Sequence, residues 1–167
     1  VKSMNFRTID DLGQLCGKRV LLRVDFNVPI EQTRILDDAK IRFTLSTIER
    51  LRQAKARIIL VSHLGEGGPR ETLRPVARRL EKLLRGVHPK FLTERIGTLP
   101  LDVKIAKMRN GDIILLENIR SYPGETKNAA AFARQLASLA DVYVNDAFAV
   151  CHRAHASVAR IAGLLPS

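Results

Sequence analysis

"ARIILVSHLGEGGPRETLRPVARRLEKLL", residues 56–84, contains a complete strand–loop–helix unit, and its reading decides the fold. The run ARIILVS (56–62) is apolar at consecutive rather than alternate positions, the pattern of a strand covered on both faces. HLGEGGP then breaks the run with a histidine, three glycines and a glutamate. In LRPVARRLEKLL (73–84), Val76, Ala77, Leu80, Leu83 and Leu84 form a stripe at helical spacing, with a proline in the first turn, where its missing donor costs little.

The same alternation extends in both directions. RVLLRV (19–24), PKFL (89–92), GDIILLE (111–117) and DVYVN (141–145) read as further strands. Residues 37–54 read as a helix carrying Ile41, Leu45, Ile48 and Leu51, capped by Asp37 or Asp38. A second, over 128–140, buries Phe132, Leu136 and Leu139 behind Asn128 as cap, and residues 152–165 read as a closing helix. Strands separated by helices pair in parallel, because a parallel pair needs a crossover of that length. The expectation is a single α/β domain over 1–167: a three-layer α/β/α, Rossmann-like fold with a mainly parallel sheet.

Composition narrows the function classes. Hydrophobic residues at 46% and charged ones at 27% suit a soluble globular chain, and no apolar stretch approaches the roughly 20 residues of a membrane span. VKSMNFRTID (1–10) lacks the apolar core of an export signal. Cys16 and Cys151 are isolated and read as free thiols, pointing to a reducing cytoplasm. The formal charge of +11 admits nucleic acid, an acidic membrane or small phosphorylated ligands as partners. The basic residues of 74–85 lie around an apolar stripe as a solvated face, and no aromatic residue punctuates them as a single-strand binder would require. Neither nucleic acid nor membrane is the expected partner.

In an open parallel sheet, ligands sit at the carboxyl ends of the strands. DFNVP follows the first strand with Asp25 and Asn27; HLGEGGP follows the second with His63 and Glu66. NIRSYPGE brings Asn118 and Arg120, and DAFAVCHRAH brings Asp146, His152 and Arg153, while Lys40 stands in the first turn of the helix after strand one. Arginine forks match phosphate and carboxylate oxygens. Asp25 and Asn27 suit a hydroxyl, His63 can donate to a carboxylate, and the glycines let backbone amides come close. Together these groups suit a small phosphorylated anion. Duller roles stay open: Asp25 as a turn cap, His63 satisfied by backbone, His155 packed along a helix. Cys151, His152 and His155 have no second cluster to complete a zinc site, so no metal is expected.

RVDFNVP (23–29), SHLG (62–65), LLENIR (115–120), PGETKN (123–128), LASLADVYVNDAF (136–148) and HRAHAS (152–157) resemble, in order, the N-terminal domain of phosphoglycerate kinase, from about Gly17 to the last residue. The resemblance implies a monomeric, cytoplasmic glycolytic enzyme that transfers a phosphoryl group reversibly between 1,3-bisphosphoglycerate with ADP and 3-phosphoglycerate with ATP. It implies that this half binds the glycerate and no cofactor. Mg-ATP or Mg-ADP would belong to a C-terminal nucleotide domain absent from this sequence, without which this half would be inactive. Carried across by matching motifs, the substrate-binding set is Asp25, Phe26, Asn27, Lys40, His63, Leu64, Gly65, Glu66, Arg120 and Arg153, with Lys40 in the catalytic position.

The sequence departs from the family at that position and at others. Lys40 stands where the family has an arginine that stabilises charge on the transferring phosphoryl group, and lysine lacks the planar fork. Glu66 and Gly67 replace an arginine and a proline, moving the local charge against an anionic ligand. Ser121 replaces an aromatic residue, and AVC (149–151) a Gly-Thr-Ala. These departures keep open an alternative, a non-catalytic relative that serves as a binding module.

Overall fold

The computed structural model describes residues 8–167; positions 1–7, part of the stretch read above for an export signal, lie outside the described residues. Five strands, β1 (Arg19–Val24), β4 (Arg57–Val61), β5 (Lys90–Leu92), β6 (Ile113–Leu116) and β7 (Val142–Asp146), form one sheet in the order β5-β6-β4-β1-β7. Every pairing in it is parallel. The remaining strands, β2 (Ile30–Glu31) and β3 (Arg34–Ile35), make a small antiparallel hairpin outside this sheet. Gln32 in its turn takes the left-handed backbone (φ 56°).

Consecutive apolar residues in the strands divide between two cores, which is why the strands read as unbroken runs. Val20, Leu22, Ile58, Leu60, Ile113, Leu115 and Val142 face one side. There they meet Ile41, Ile48 and Leu51 of α1 (Ala39–Gln53) and Val76, Ala77 and Leu80 of α2 (Arg74–Leu83). Leu21, Ile59, Val61, Ile114, Leu116 and Tyr143 face the other side. They pack against Leu101 and Ile105 of α3 (Leu99–Ala106) and Phe132, Ala133 and Leu136 of α5 (Ala130–Ser138). The sheet is therefore the middle of three layers, as the sequence pattern predicts.

The differences lie at helix ends. Asp38 is the N-cap of α1, but the cap hydrogen bond comes from its neighbour: Ala39 N–H donates to Asp37 Oδ1 at 2.8 Å. The Asp38 carboxylate takes Arg42 at 2.9 Å and Arg79 at 2.6 Å, and these two guanidinium groups hold its pKa below the ordinary carboxylate value. Asn128 does not cap α5, whose N-cap is Ala129. Asn128 instead sits at φ 49° just past the short helix α4 (Pro123–Thr126), a left-handed closing position that asparagine tolerates. The expected helix over 152–165 forms only in part: His155 is extended and caps a π-helical turn, Ala156–Arg160, which runs on into a 3-10 turn, Ile161–Gly163. Ser157, in its first turn, gives both its N–H and its hydroxyl to Glu125, at 2.9 and 2.6 Å, so the start of the segment is set by a partner outside it. Helix α3 was missed because LPLDVKIA is apolar on most of its surface and shows no clear stripe.

Leu60, fully buried in β4, tests the layer assignment. Leu60→Ala is expected to cost about 2–5 kcal/mol in urea unfolding, whereas Phe43→Ala on the exposed side of α1 should stay within about 0.5 kcal/mol.

Candidate active site

The carboxyl ends of β1, β4 and β6 deliver a connected set of polar side chains. Its foundation is Arg23, in the last turn of pleat of β1 and 1% exposed. An arginine among apolar strand residues needs partners, and the fold supplies them. Arg23 Nε donates to Ser157 Oγ at 2.9 Å, Nη1 to the Val24 carbonyl, and Nη2 lies 3.1 Å from His63 Nδ1. Burial pulls the Arg23 pKa down, opposed first by the Glu125 carboxylate. Glu125 is itself completely buried and reaches Arg23 through the hydroxyl of Ser157. Tyr143 closes the cluster by donating from its phenol to the Ser157 carbonyl at 2.8 Å, and burial pushes that phenol's pKa up.

His63 inherits its chemistry from Arg23. A guanidinium can only donate, so Nδ1 accepts and the ring proton sits on Nε2. Desolvation, then the charges of Arg23 and Arg120, push the imidazole pKa down to about 3. His63 is therefore a neutral ring with a fixed N–H donor. Asp25 and Lys40 also act on it electrostatically, which places the ends of β1 and β4 and the start of α1 in one neighbourhood.

The predicted residues then fall into two groups. Asp25, Asn27, Lys40, Gly65, Glu66 and Arg120 are linked directly, while His63 is bonded to Arg23 and feels the charges of Arg120, Asp25 and Lys40. Lys40 Nζ lies 2.9 Å from Asp25 Oδ2, Asn27 N–H donates to Asp25 Oδ1 at 3.1 Å, and Gly65 N–H donates to Asn27 Oδ1 at 3.0 Å. Arg120 donates from Nη1 to the Gly65 carbonyl and to Glu66 Oε1, the latter at 2.9 Å. Phe26 and Leu64 act as supports. The Phe26 ring enters the core and its N–H donates to Ser62 Oγ, while both backbone polar groups of Leu64 are bonded to the Asn118 amide.

Arg153 is exposed on the loop after β7. Among the described residues, no hydrogen bond or ion pair joins its side chain to the other predicted site residues; its carbonyl accepts the His155 N–H at 2.9 Å. His155 is packed as expected but outside any helix, 3.9 Å from Glu125.

The glycine loop behaves differently from its sequence reading. The amides of Gly67 and Gly68 do not wait for a ligand; both donate to Glu71 Oε2, at 2.5 and 2.6 Å. The glycines are required by close approach instead. A Cβ on Gly67, at φ +90°, would lie 2.2 Å from the Arg120 carbonyl oxygen. Arg23, Ser62, Glu71, Glu125 and Ser157 were not singled out by sequence reasoning. Arg23 alone carried a signal, being a charge inside a strand predicted to be covered on both faces. Among the described residues, no group of three or more His, Cys, Asp or Glu side chains could hold a metal ion. Cys16 and Cys151 are both free and exposed.

The family model for phosphoglycerate kinase matches residues 9–167. The chain belongs to the phosphoglycerate kinase family. It is 47% identical over 168 residues to the phosphoglycerate kinase of Borreliella burgdorferi, covering 98% of this chain and 42% of that protein. With that of Moorella thermoacetica it shares 52% over 165 residues, covering 96% and 41%. Among solved phosphoglycerate kinase structures, that from Pyrococcus horikoshii superposes with a TM-score of 0.88 at 29% identity, over 96% of this chain and 41% of the other. That from Coxiella burnetii gives 0.79 at 38% identity, over 91% and 38%. This chain therefore spans about 42% of the length of the curated phosphoglycerate kinases it matches. Among the described residues no helix is long and apolar enough to cross a membrane.

Two measurements test this arrangement. Unfolded histidine titrates near 6.5, so between that pH and about 3 the unfolded chain binds a proton that folded His63 refuses. Its contribution to stability is complete above about pH 6.5 and falls as the pH drops towards 3. Nitrogen-detected NMR should show a neutral ring protonated on Nε2 down to about pH 5. Glu125→Ala strands Arg23 and both Ser157 donors, and should lower the unfolding free energy by about 3–5 kcal/mol in a denaturant titration.

Proposed function

We propose that this chain is the glycerate-binding domain of a phosphoglycerate kinase, taking 3-phosphoglycerate or 1,3-bisphosphoglycerate at the carboxyl edge of its sheet. The reading is carried by the convergence there of Arg120, a neutral His63 bearing Nε2–H, the Asp25–Asn27 pair and Lys40. Arg120 and Arg153 would take the phosphate, whose oxygens suit guanidinium forks. His63 Nε2–H would donate to the glycerate carboxylate, and Asp25 with Asn27 would hold the hydroxyl. Lys40, at the start of α1, would face charge developing on the transferring phosphoryl group. Mg-ATP or Mg-ADP would bind on a separate nucleotide domain, which leaves this chain a binder without turnover of its own. The working protein would be a cytoplasmic monomer.

A second reading, a non-catalytic binding module, draws on the Lys40–Asp25 ion pair. A lysine engaged at 2.9 Å by its neighbour, and lacking a planar fork, is a weaker transition-state clamp than the family arginine. Kinase assays on the full-length protein separate the two readings, since ordinary turnover retires the module.

Calorimetry on this chain should detect 3-phosphoglycerate. Arg153→Ala, at an exposed position that should not disturb folding, is expected to weaken binding about tenfold or more. Added Mg-ATP should give no product. A folded chain that takes up no 3-phosphoglycerate would end this reading.

A further inference from the structure

Two carboxylates of the loop after β4 occupy groups that could otherwise serve an anion, and they differ in how firmly they are held. Glu71 is built in. It takes two backbone amides, and a Cβ at Gly65 would lie 1.8 Å from its Oε1. Glu66 is at the rim. Its side chain is 86% exposed and makes one ion pair, at 2.9 Å, to Arg120, whose own side chain is only 3% exposed. Arg120 Nε is buried without a hydrogen-bond partner among the described residues, so the guanidinium keeps donor capacity beyond what Gly65 and Glu66 use.

We infer that Glu66 is a displaceable internal counter-ion that sets the affinity of the site: it holds Arg120 in the empty state and must swing into solvent before a ligand phosphate takes that guanidinium. The inference rests on the assignment of Arg120 to phosphate binding. A side chain this exposed is hydrated on leaving, so displacement needs no rearrangement of the fold. Each binding event nevertheless breaks a charge-assisted hydrogen bond and leaves a carboxylate beside the arriving phosphate. The ion pair therefore opposes binding, whereas the Glu71 contacts, which shape the loop, persist through it.

The test compares Glu66→Gln with Glu81→Gln, which removes the same charge from α2, where Glu81 pairs with His88. Both variants and the parent chain are titrated calorimetrically with inorganic phosphate and, separately, with 3-phosphoglycerate at low salt. Glu66→Gln is expected to tighten phosphate binding about fivefold or more, and Glu81→Gln to change it less than about twofold. Equal shifts in the two variants would reduce Glu66 to a contribution to net charge and overturn the inference. So would an unchanged phosphate affinity in Glu66→Gln, or no phosphate binding by any of the three proteins. A gain for phosphate with no uptake of 3-phosphoglycerate would leave the counter-ion role standing and remove the glycerate assignment.

Discussion

The site depends on one buried charge. Arg23 lies at the end of a central strand with no access to water, so its desolvation has to be offset by its surroundings. Three separate segments do so: β1 itself through the Val24 carbonyl, the end of β4 through His63, and the segment after β7 through Ser157 and, beyond it, Glu125. Each partner is fixed in return. The histidine receives its tautomer, and the chain beyond Arg153 is pinned through Ser157. One guanidinium thus converts the apolar pairing of strands into a defined set of donors at their ends.

Much of the fold was legible because the strands are short, apolar and covered on both faces, a pattern that requires little context to interpret. Four of the five sheet strands fall within the runs expected for them, β7 extends one residue past its run to Asp146, and α1, α2 and α5 lie where the apolar spacing puts them. Failures arose where long-range bonds outweigh local preference. Asn128 looks like a cap by residue type, yet the preceding helix uses it as a left-handed end. HRAHASVARIAGLL has helical spacing, but its helical turns begin only at Ala156, where Ser157 is held by Glu125, and no local pattern encodes a partner 32 residues away. Of the candidate site, the meeting of polar groups after β1, β4 and β6 was legible, whereas Asp146, His152 and Arg153 after β7 make no side-chain bond to that set among the described residues. The site was less legible at the level of which donors remain available, because Glu71 takes the glycine amides from within the same loop.

The positive charge of the chain also needs separating by role. Arg42 and Arg79 neutralise Asp38, Arg19 holds Asp141 at 2.7 Å, and Arg23 is enclosed. These cations are structural. Lys40 and Arg120 are paired too, but with partners at the carboxyl edge of the sheet, where the proposed ligand would compete for them. Net charge alone therefore says little about the site; the difference lies in where each pair sits in the fold, since the Asp25 side chain is less exposed than those of Asp38 and Asp141.

Gly67 has a mechanical consequence. Its backbone rests so closely on the Arg120 carbonyl that not even a methyl group fits between them, and Arg120 in turn grips the Gly65 carbonyl. The loop and the arginine are clasped from both sides, so neither can shift without displacing the other. A pull exerted on the guanidinium is passed on to the glycine segment without slack, although more than fifty residues of chain separate the two.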